Sequence, residues 1–380
     1  MNVTNSFWTS SRRKLCAGLI VYKLLLLCFV FIAVKIFPSL NETEYRNDLH
    51  WPRKGPPTLA THYATWDGAH YLLLSEVGYQ RGTASCAFYP LWPFLIKVFS
   101  YLTLKNHLVA GLLLSNLLSL AAILCFHYFV ERHHSADVAF LATALLLAFP
   151  SALYFSFIYT ESLFLLLVVL FFLFLFEEKY IAVAIIGFLL PLTKAVGVFC
   201  VLPLVCHLFL RKKPWHYYMA AYYGPLLGYA CYFMWIYMAT GNPFEGFEAQ
   251  RFFPNHPSIS NIFNLSGTAM ALIRPVQLHG MLDSAIDRGL FLLVLSFLYP
   301  IYKLNKVYFA YALLIGVVPA LSSWFLSYSR NMMMCFPLFI AMACLFQPAG
   351  RRLPFWYLIL VLGSIQVWFL LRHINFIWTA

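Results

Sequence analysis

Apolar runs of 18 residues or more recur along nearly the whole chain, and this constrains the fold more than any other feature. A run of that length is read as a helix able to cross a bilayer. Composition agrees: of 380 residues, 62% are hydrophobic and only 11% are charged. That is too little charge to clothe a soluble domain. The chain is therefore expected to be an all-α polytopic membrane protein, one integral membrane domain over residues 1–380. The net charge of +12 is read as basic residues that hold cytoplasmic loops inside rather than as a nucleic-acid footprint. Nine cysteines lie singly, with no CxxC, and are read as small core residues.

The basic clusters at Arg12–Lys14, Arg211–Lys213, Lys303–Lys306 and Arg351–Arg352 give a threading in which each is cytoplasmic. The run from Leu15 to Phe37 is too long for a signal-peptide core. It is expected to be an uncleaved first helix leaving the membrane at about Pro38. Residues 39–85 then form a first outer loop. Residues 86–104, apolar but carrying Pro90 and Pro93, are expected to lie along the interface or re-enter it. Helices follow at 107–130, 136–155 and 160–176. The stretch 180–210 overshoots a ~30 Å core and is expected to be two short helices meeting at Thr193–Lys194. After a helix at 215–239 comes a second outer loop, 240–285. Helices at 286–303, 306–326, 331–347 and 353–371 bring the total to about 11 membrane segments.

Within the first outer loop, "ATWDGAHYLLLSEVGYQ" (64–80) places Trp, Asp, His and Tyr together. The pattern predicts a helix capped by Thr65, starting at Trp66 and ended by Gly78. Asp67, His70, Tyr71 and Leu74 then share one face, with Leu72, Leu73 and Val77 toward lipid. On spacing alone, a carboxylate in a first turn does no more than complement the helix dipole, and Trp66 and Tyr71 fit an aromatic belt.

The wording of the stretch says more. "WDGAHYLLLSEVGY", followed by "AFYPLWPFLI", resembles the first outer loop of the GPI mannosyltransferase 2 family and its shorter prokaryotic relatives, multi-membrane glycosyltransferases of the GT-C class. The resemblance runs through Trp66, Asp67, His70, Tyr71, Gly78, Tyr79, Ala87, Phe88, Pro90 and Pro93. Later segments follow in family order: "FPSALYFSFIYTESLF" with Tyr159 and Glu161, "LPLTKAVG" with Lys194, "TGNPFEGFEAQRFF" with Gln250 and Arg251, and "SYSRNMMMCFPLFI" with Arg330. Two positions depart from the pattern. Lys194 stands where relatives carry Arg, and Asn331 where Tyr follows the Arg.

The resemblance implies a GT-C-like fold and a glycosyltransferase, of mannose for preference. A polyprenyl-phosphate-sugar is the donor and a hydroxyl on a glycolipid or glycan the acceptor, at the non-cytoplasmic face. It implies Asp67 as general base, Lys194 and Arg330 as ligands of the leaving phosphate, and Trp66, His70, Tyr71, Tyr159, Glu161, Gln250 and Arg251 as substrate-binding groups. Each has a plainer reading: snorkelling cations for Lys194 and Arg330, a paired structural carboxylate for Glu161, solvated loop residues for Gln250 and Arg251.

No cofactor is expected. His70 with Asp67 has the spacing of two divalent-metal ligands, but no further ligand pair is near. His133 and His134 read as polar residues of a cytoplasmic turn. No phosphate-binding glycine loop occurs, which disfavours a nucleotide-sugar donor. The competing class is a transporter or flippase for a lipid-linked sugar, disfavoured because ionisable residues gather in the outer loop and at helix ends rather than at the midplane. Brevity favours a prokaryotic cell membrane over the endoplasmic reticulum.

Overall fold

A computed structural model describes residues 7–36, 41–51, 57–274 and 276–379, so the expected exit of the first helix at Pro38 lies outside the described residues. Among them there is no named strand, only one isolated bridge between Gln277 and Ser284. The chain opens with α1 (Ser10–Ile36), then short turns α2 (Glu42–Asn47) and α3 (Leu59–Tyr63), then α4 (Asp67–Glu76), α5 (Leu91–Ser100) and α6 (His107–His133). It continues with α7 (Ala136–Ala148), α8 (Glu161–Phe176), α9 (Tyr180–Thr193), α10 (Val201–Leu210), α11 (Trp215–Thr240), α12 (Glu245–Glu248) and α13 (Leu265–Ile273). The last elements are α14 (Ala285–Leu304), α15 (Lys306–Ser323), α16 (Tyr328–Met332), α17 (Phe336–Phe346) and α18 (Arg352–Ile374).

Five of these segments, α1, α6, α14, α15 and that of α18, are long and apolar enough to cross a membrane. Helix α5 has ten residues, about 15 Å at 1.5 Å per residue, half of a ~30 Å hydrocarbon core. It buries Trp92, Pro93, Ile96 and Ser100 and exposes Phe94 and Val98. The 180–210 stretch is broken as expected. Lys194 is extended between α9 and a 3-10 turn at 195–200. A side chain at Gly197 would collide with the Leu190 backbone, so the break folds back tightly only with glycine there.

Two expected helices are shorter than the periodicity suggests. The helix expected over 136–155 stops at Ala148, because Pro150 disfavours helical geometry at Phe149; a 3-10 turn, Pro150–Phe155, follows. The helix expected over 331–347 is two pieces, α16 and α17, with Pro337 in the first turn of the second.

Helix α8 is the centre of the molecule. Twelve of its 16 residues are buried, which explains a sequence that is apolar on every side. Around it Phe126, Phe129, Phe172, Tyr308, Tyr311 and Phe336 form one buried aromatic cluster. Glu161 heads this helix and is completely buried.

Candidate active site

The turn before α4 is unusual. Trp66 occupies the N-cap position at φ 52°, ψ −123° and makes no side-chain cap. Positive φ is a strained choice for a bulky residue. Thr65 is therefore not the cap that the sequence suggested. Its hydroxyl pairs with His373 Nε2 in α18 at 2.6 Å, and its carbonyl accepts the Tyr159 hydroxyl at 3.1 Å. The Trp66 ring meets Trp378 edge-on at 5.3 Å. Thus the C-terminal helix and the 150–160 segment hold the strained turn, and Asp67 follows it directly. Gly78 ends the stretch at φ 86°. On the helix itself His70, Tyr71 and Leu74 are buried, as their shared face predicts. Leu72 is buried too, against the expectation that it faces lipid, because α4 packs between α5 and α6.

Glu161 is delivered by the irregular segment between α7 and α8. In a membrane interior, carbonyls outside a helix need partners at a cost of several kcal/mol each if left bare. Here they have them. Lys23 Nζ of α1 donates to Phe155 O at 3.1 Å and Ser156 Oγ at 3.2 Å. Asn116 Nδ2 of α6 reaches Ser156 O at 3.1 Å, Ser115 Oγ reaches Phe157 O, and Ser162 Oγ reaches Phe155 O at 3.2 Å. Arg330 arrives on α16, whose approach runs through left-handed residues Trp324, Phe325 and Ser327. The backbone N–H of its neighbour Ser329 donates to buried Asp287 at 2.8 Å.

These pieces meet in one chain of alternating charge. Lys194 Nζ lies 2.6 Å from Glu161 Oε1, and Arg330 Nε lies 3.1 Å from the same oxygen. Arg330 Nη1 donates to Asp67 Oδ2 at 2.6 Å. The guanidinium also sits over the rings of Tyr159 at 5.4 Å and Tyr154 at 5.7 Å, a cation–π pairing. Glu161 has no exposed side-chain surface, whereas Lys194, Arg330 and Asp67 keep 13%, 14% and 17%. Two cations and two carboxylates leave the group neutral, with water reaching the outer three. Because residue 194 is lysine, Glu161 receives a single-point contact rather than a fork. Asn331 turns back to Ser327 O at 3.1 Å and takes no part.

The other expected residues lie beside this chain. Tyr71 is buried, edge-on to Phe88 at 5.1 Å and to Tyr159 at 6.5 Å. His70 stacks on Phe88 at 4.6 Å with Nδ1 2.8 Å from Ser85 Oγ. Burial pushes its imidazole down to about 4, so it is neutral at physiological pH and serves as a packed polar wall. Gln250 and Arg251 occupy the 3-10 turn Ala249–Phe252, which reaches this wall through Phe253, 6.4 Å from the His70 ring and 5.9 Å from that of Phe88. Arg251 lies over Phe252 at 5.0 Å. Neither joins the ion-pair chain. Among the described residues no group of three or more His, Cys, Asp or Glu is placed to hold a metal ion.

Lys23, Ser115, Asn116, Asp287 and His373 act on the site without having been singled out in the sequence. Lys23 and Asp287 carried a signal: each is a charge at an apolar helix, a functional suspect by default. His373, Ser115 and Asn116 carried none that composition or spacing reveals.

Residues 56–219 match the model of the mannosyltransferase (PIG-V) family, in agreement with the resemblance of the WD stretch. The match takes in Asp67, Glu161 and Lys194 and ends before Gln250, Arg251 and Arg330. No curated protein matches the sequence. Among solved structures, the chain is similar to ArnT from Cupriavidus metallidurans bound to undecaprenyl phosphate, at 13% identity and a TM-score of 0.49 over 90% of this chain and 63% of that one. It is also similar to the Archaeoglobus fulgidus oligosaccharyltransferase in its apo form, at 11% identity and a TM-score of 0.47 over 93% of this chain and 55% of that one. The chain thus spans less than two thirds of the length of these structures.

Proposed function

We propose that this chain is an integral membrane glycosyltransferase. It transfers a hexose, mannose by the family match, from a polyprenyl-phosphate-sugar donor to a hydroxyl of a glycolipid or glycan at the non-cytoplasmic face. The observation that carries this reading is the meeting of Asp67, Glu161, Lys194 and Arg330, four residues from four separated motifs, in one continuous chain of ion pairs.

The chemistry follows from the order of charges. Glu161 tethers both cations at one oxygen, so Lys194 and Arg330 are aimed at a common point. A donor phosphate entering there competes with Asp67 for Arg330 Nη1. Asp67, the more exposed of the two carboxylates, yields and gains a free oxygen. The acceptor oxygen then attacks the anomeric carbon, and the carbon–oxygen bond to the phosphate breaks. The bonding pair leaves with the polyprenyl phosphate, whose growing charge the two cations stabilise, and the acceptor proton passes to Asp67. Trp66, half-buried next to Asp67, provides the ring against which a sugar stacks, backed by the buried Tyr71 and Tyr159.

Asp67→Asn keeps the size of the side chain and removes the base. Turnover in a transfer assay with purified polyprenyl-phosphate-mannose should fall by about 10²–10⁴-fold, or about 3–5 kcal/mol of barrier, while donor still binds. A folded, donor-binding variant within about threefold of wild type would rule out this base, since that lies far below general-base magnitudes. Movement of donor across vesicles by the wild type with no transfer would replace the reading with a flippase.

A further inference from the structure

Glu161 begins α8 and Phe176 ends it, so the far end of this helix lies about 24 Å away at 1.5 Å per residue. A cavity opens there, of about 330 Å3, among the last turns of α6, α8, α10 and α14 and the first turn of α15. His133, His134, His207 and Arg211 line it, over the rings of Phe176 and Tyr308. No carboxylate is among the lining residues. The two nearest acids are already engaged: Glu177 by Arg132 at 2.9 Å and Lys179 at 2.7 Å, and Glu178 by Lys213 at 2.5 Å. Arg211 stands 3.9 Å from Glu178, too far for a hydrogen bond, so its donors remain available.

The imidazoles are fixed by their neighbours. His207 stacks on Phe176 at 5.8 Å, His133 meets the same ring edge-on at 5.2 Å, and His134 faces Tyr308 at 6.2 Å. His207 is only 3% exposed, and its Nε2 is buried with no hydrogen-bond partner; His134 Nε2 is in the same condition. Buried polar atoms are seldom left so, and in a cavity they point to a ligand that completes them. Arg211 brings a fixed positive charge and only donors, and each neutral imidazole can donate through one ring nitrogen; with no carboxylate in the lining, the cavity suits an acceptor that carries negative charge. A metal is disfavoured, because among the described residues no three ligands are close enough to share one.

Leu210 and Leu304 also line the cavity and stay 46% and 38% exposed. The mouth is thus apolar on the flank that adjoins the hydrophobic surface of α10 and α14, and cationic at Arg211. We propose that this cavity binds the phosphate of an anionic lipid headgroup, with the acyl chains lying along Leu210 and Leu304. The surrounding concentration of Arg132, Lys179, Arg211, Lys212, Lys213, Lys303 and Lys306 marks the cytoplasmic side, so the lipid belongs to the leaflet opposite the proposed transfer site.

The test uses the full-length protein in phosphatidylcholine nanodiscs with and without phosphatidic acid, read by native mass spectrometry. A parallel titration of the detergent-solubilised protein uses inorganic phosphate. The variants are Arg211→Gln, whose side chain is 60% exposed and therefore dispensable for packing, and Arg211→Gln combined with His134→Gln. Wild type should retain phosphatidic acid, and the double variant should retain at least about tenfold less, as expected for two charge-assisted hydrogen bonds. Arg132→Gln, which lies outside the cavity, should retain it like wild type. Phosphate binding that the variants abolish, without any difference in lipid retention, keeps the anion site and makes a soluble phosphate its occupant. Equal behaviour of wild type and both variants toward both probes overturns the proposal.

Discussion

Helix α8 has acidic groups at its two ends and treats them in opposite ways. Glu161, at its head, is wholly buried and shares one oxygen between Lys194 and Arg330. Glu177 and Glu178, just past its tail, pair with Arg132, Lys179, Arg211 and Lys213, whose side chains are 23–60% exposed. The pairings are chemically alike. At the tail, water replaces any partner that leaves, and such pairs contribute little. At the head, no solvent reaches Glu161 to replace a partner, so its charge depends on its two cations. A neutral, interlocked group is also a poised one: its cations are turned toward a common point, and a new anion can exchange with Asp67 without leaving either cation alone. The strained Trp66 turn beside it fits the same view, since strain persists where surrounding contacts over-determine a conformation.

The largest effect expected from this contrast is at Arg330. Arg330→Ala leaves Asp67 and Glu161 facing each other without the cation between them. Removing one partner of a buried pair costs about 3–5 kcal/mol, so thermal unfolding in detergent should begin at a clearly lower temperature, and transfer should be lost. Arg330→Lys keeps the charge but cannot span both carboxylates, and should recover stability more fully than turnover. An Arg330→Ala protein as stable as wild type would show that the head tolerates loss as the tail does.

A smaller effect is expected one step removed, at Lys23. Lys23→Met is close in shape but takes the donor from Phe155 O and Ser156 Oγ. A buried acceptor left bare costs about 1–3 kcal/mol. Because the segment carries Tyr159 and Glu161 into the site, turnover should fall while the KM for donor changes less, and Lys23→Arg should restore it. Unchanged turnover and unchanged melting would mean that the 155–157 carbonyls are held well enough by Ser115, Asn116 and Ser162.

Much of this was legible in the sequence, and the limits have physical causes. The long apolar runs gave α1, α6, α14, α15 and α18, since membrane-spanning length and hydropathy leave little alternative. The break at Lys194 followed from a run too long for one span with Pro191 inside it. Asp67, Glu161, Lys194 and Arg330 were marked by their motifs, but the order in which they pair was not, because it depends on how α4, α8, α9 and α16 come together. Periodicity overran the ends of α7 and α15. Pro150 stops the first, and the second ends where Trp324 turns left-handed. The Thr65 cap was a reasonable inference from local preference, overridden by His373, more than three hundred residues away in the chain. Leu72 looked lipid-facing because a helix in a loop has no visible neighbours in sequence. His133 and His134 read as an ordinary polar turn because the cavity they line needs α8, α10 and α15 as well.

The smallest effect is expected at Arg132, and it tests the other half of the comparison. Its guanidinium pairs with Glu177 at 2.9 Å and is 45% exposed, while Glu177 keeps Lys179 at 2.7 Å. Arg132→Gln therefore removes one of two cations from a carboxylate that water also reaches. Exposed pairs are worth about 0–1 kcal/mol, so the melting temperature should move by a few degrees at most and transfer should not change. Raising the salt concentration should shrink even this difference, because screening acts on exposed charges and far less on buried ones. The Arg330→Ala deficit should persist in the same salt. A salt-insensitive Arg132→Gln defect as large as that of Arg330→Ala would mean that both ends of α8 hold their charges in the same way, and the distinction between a solvated tail and an interlocked head would fail.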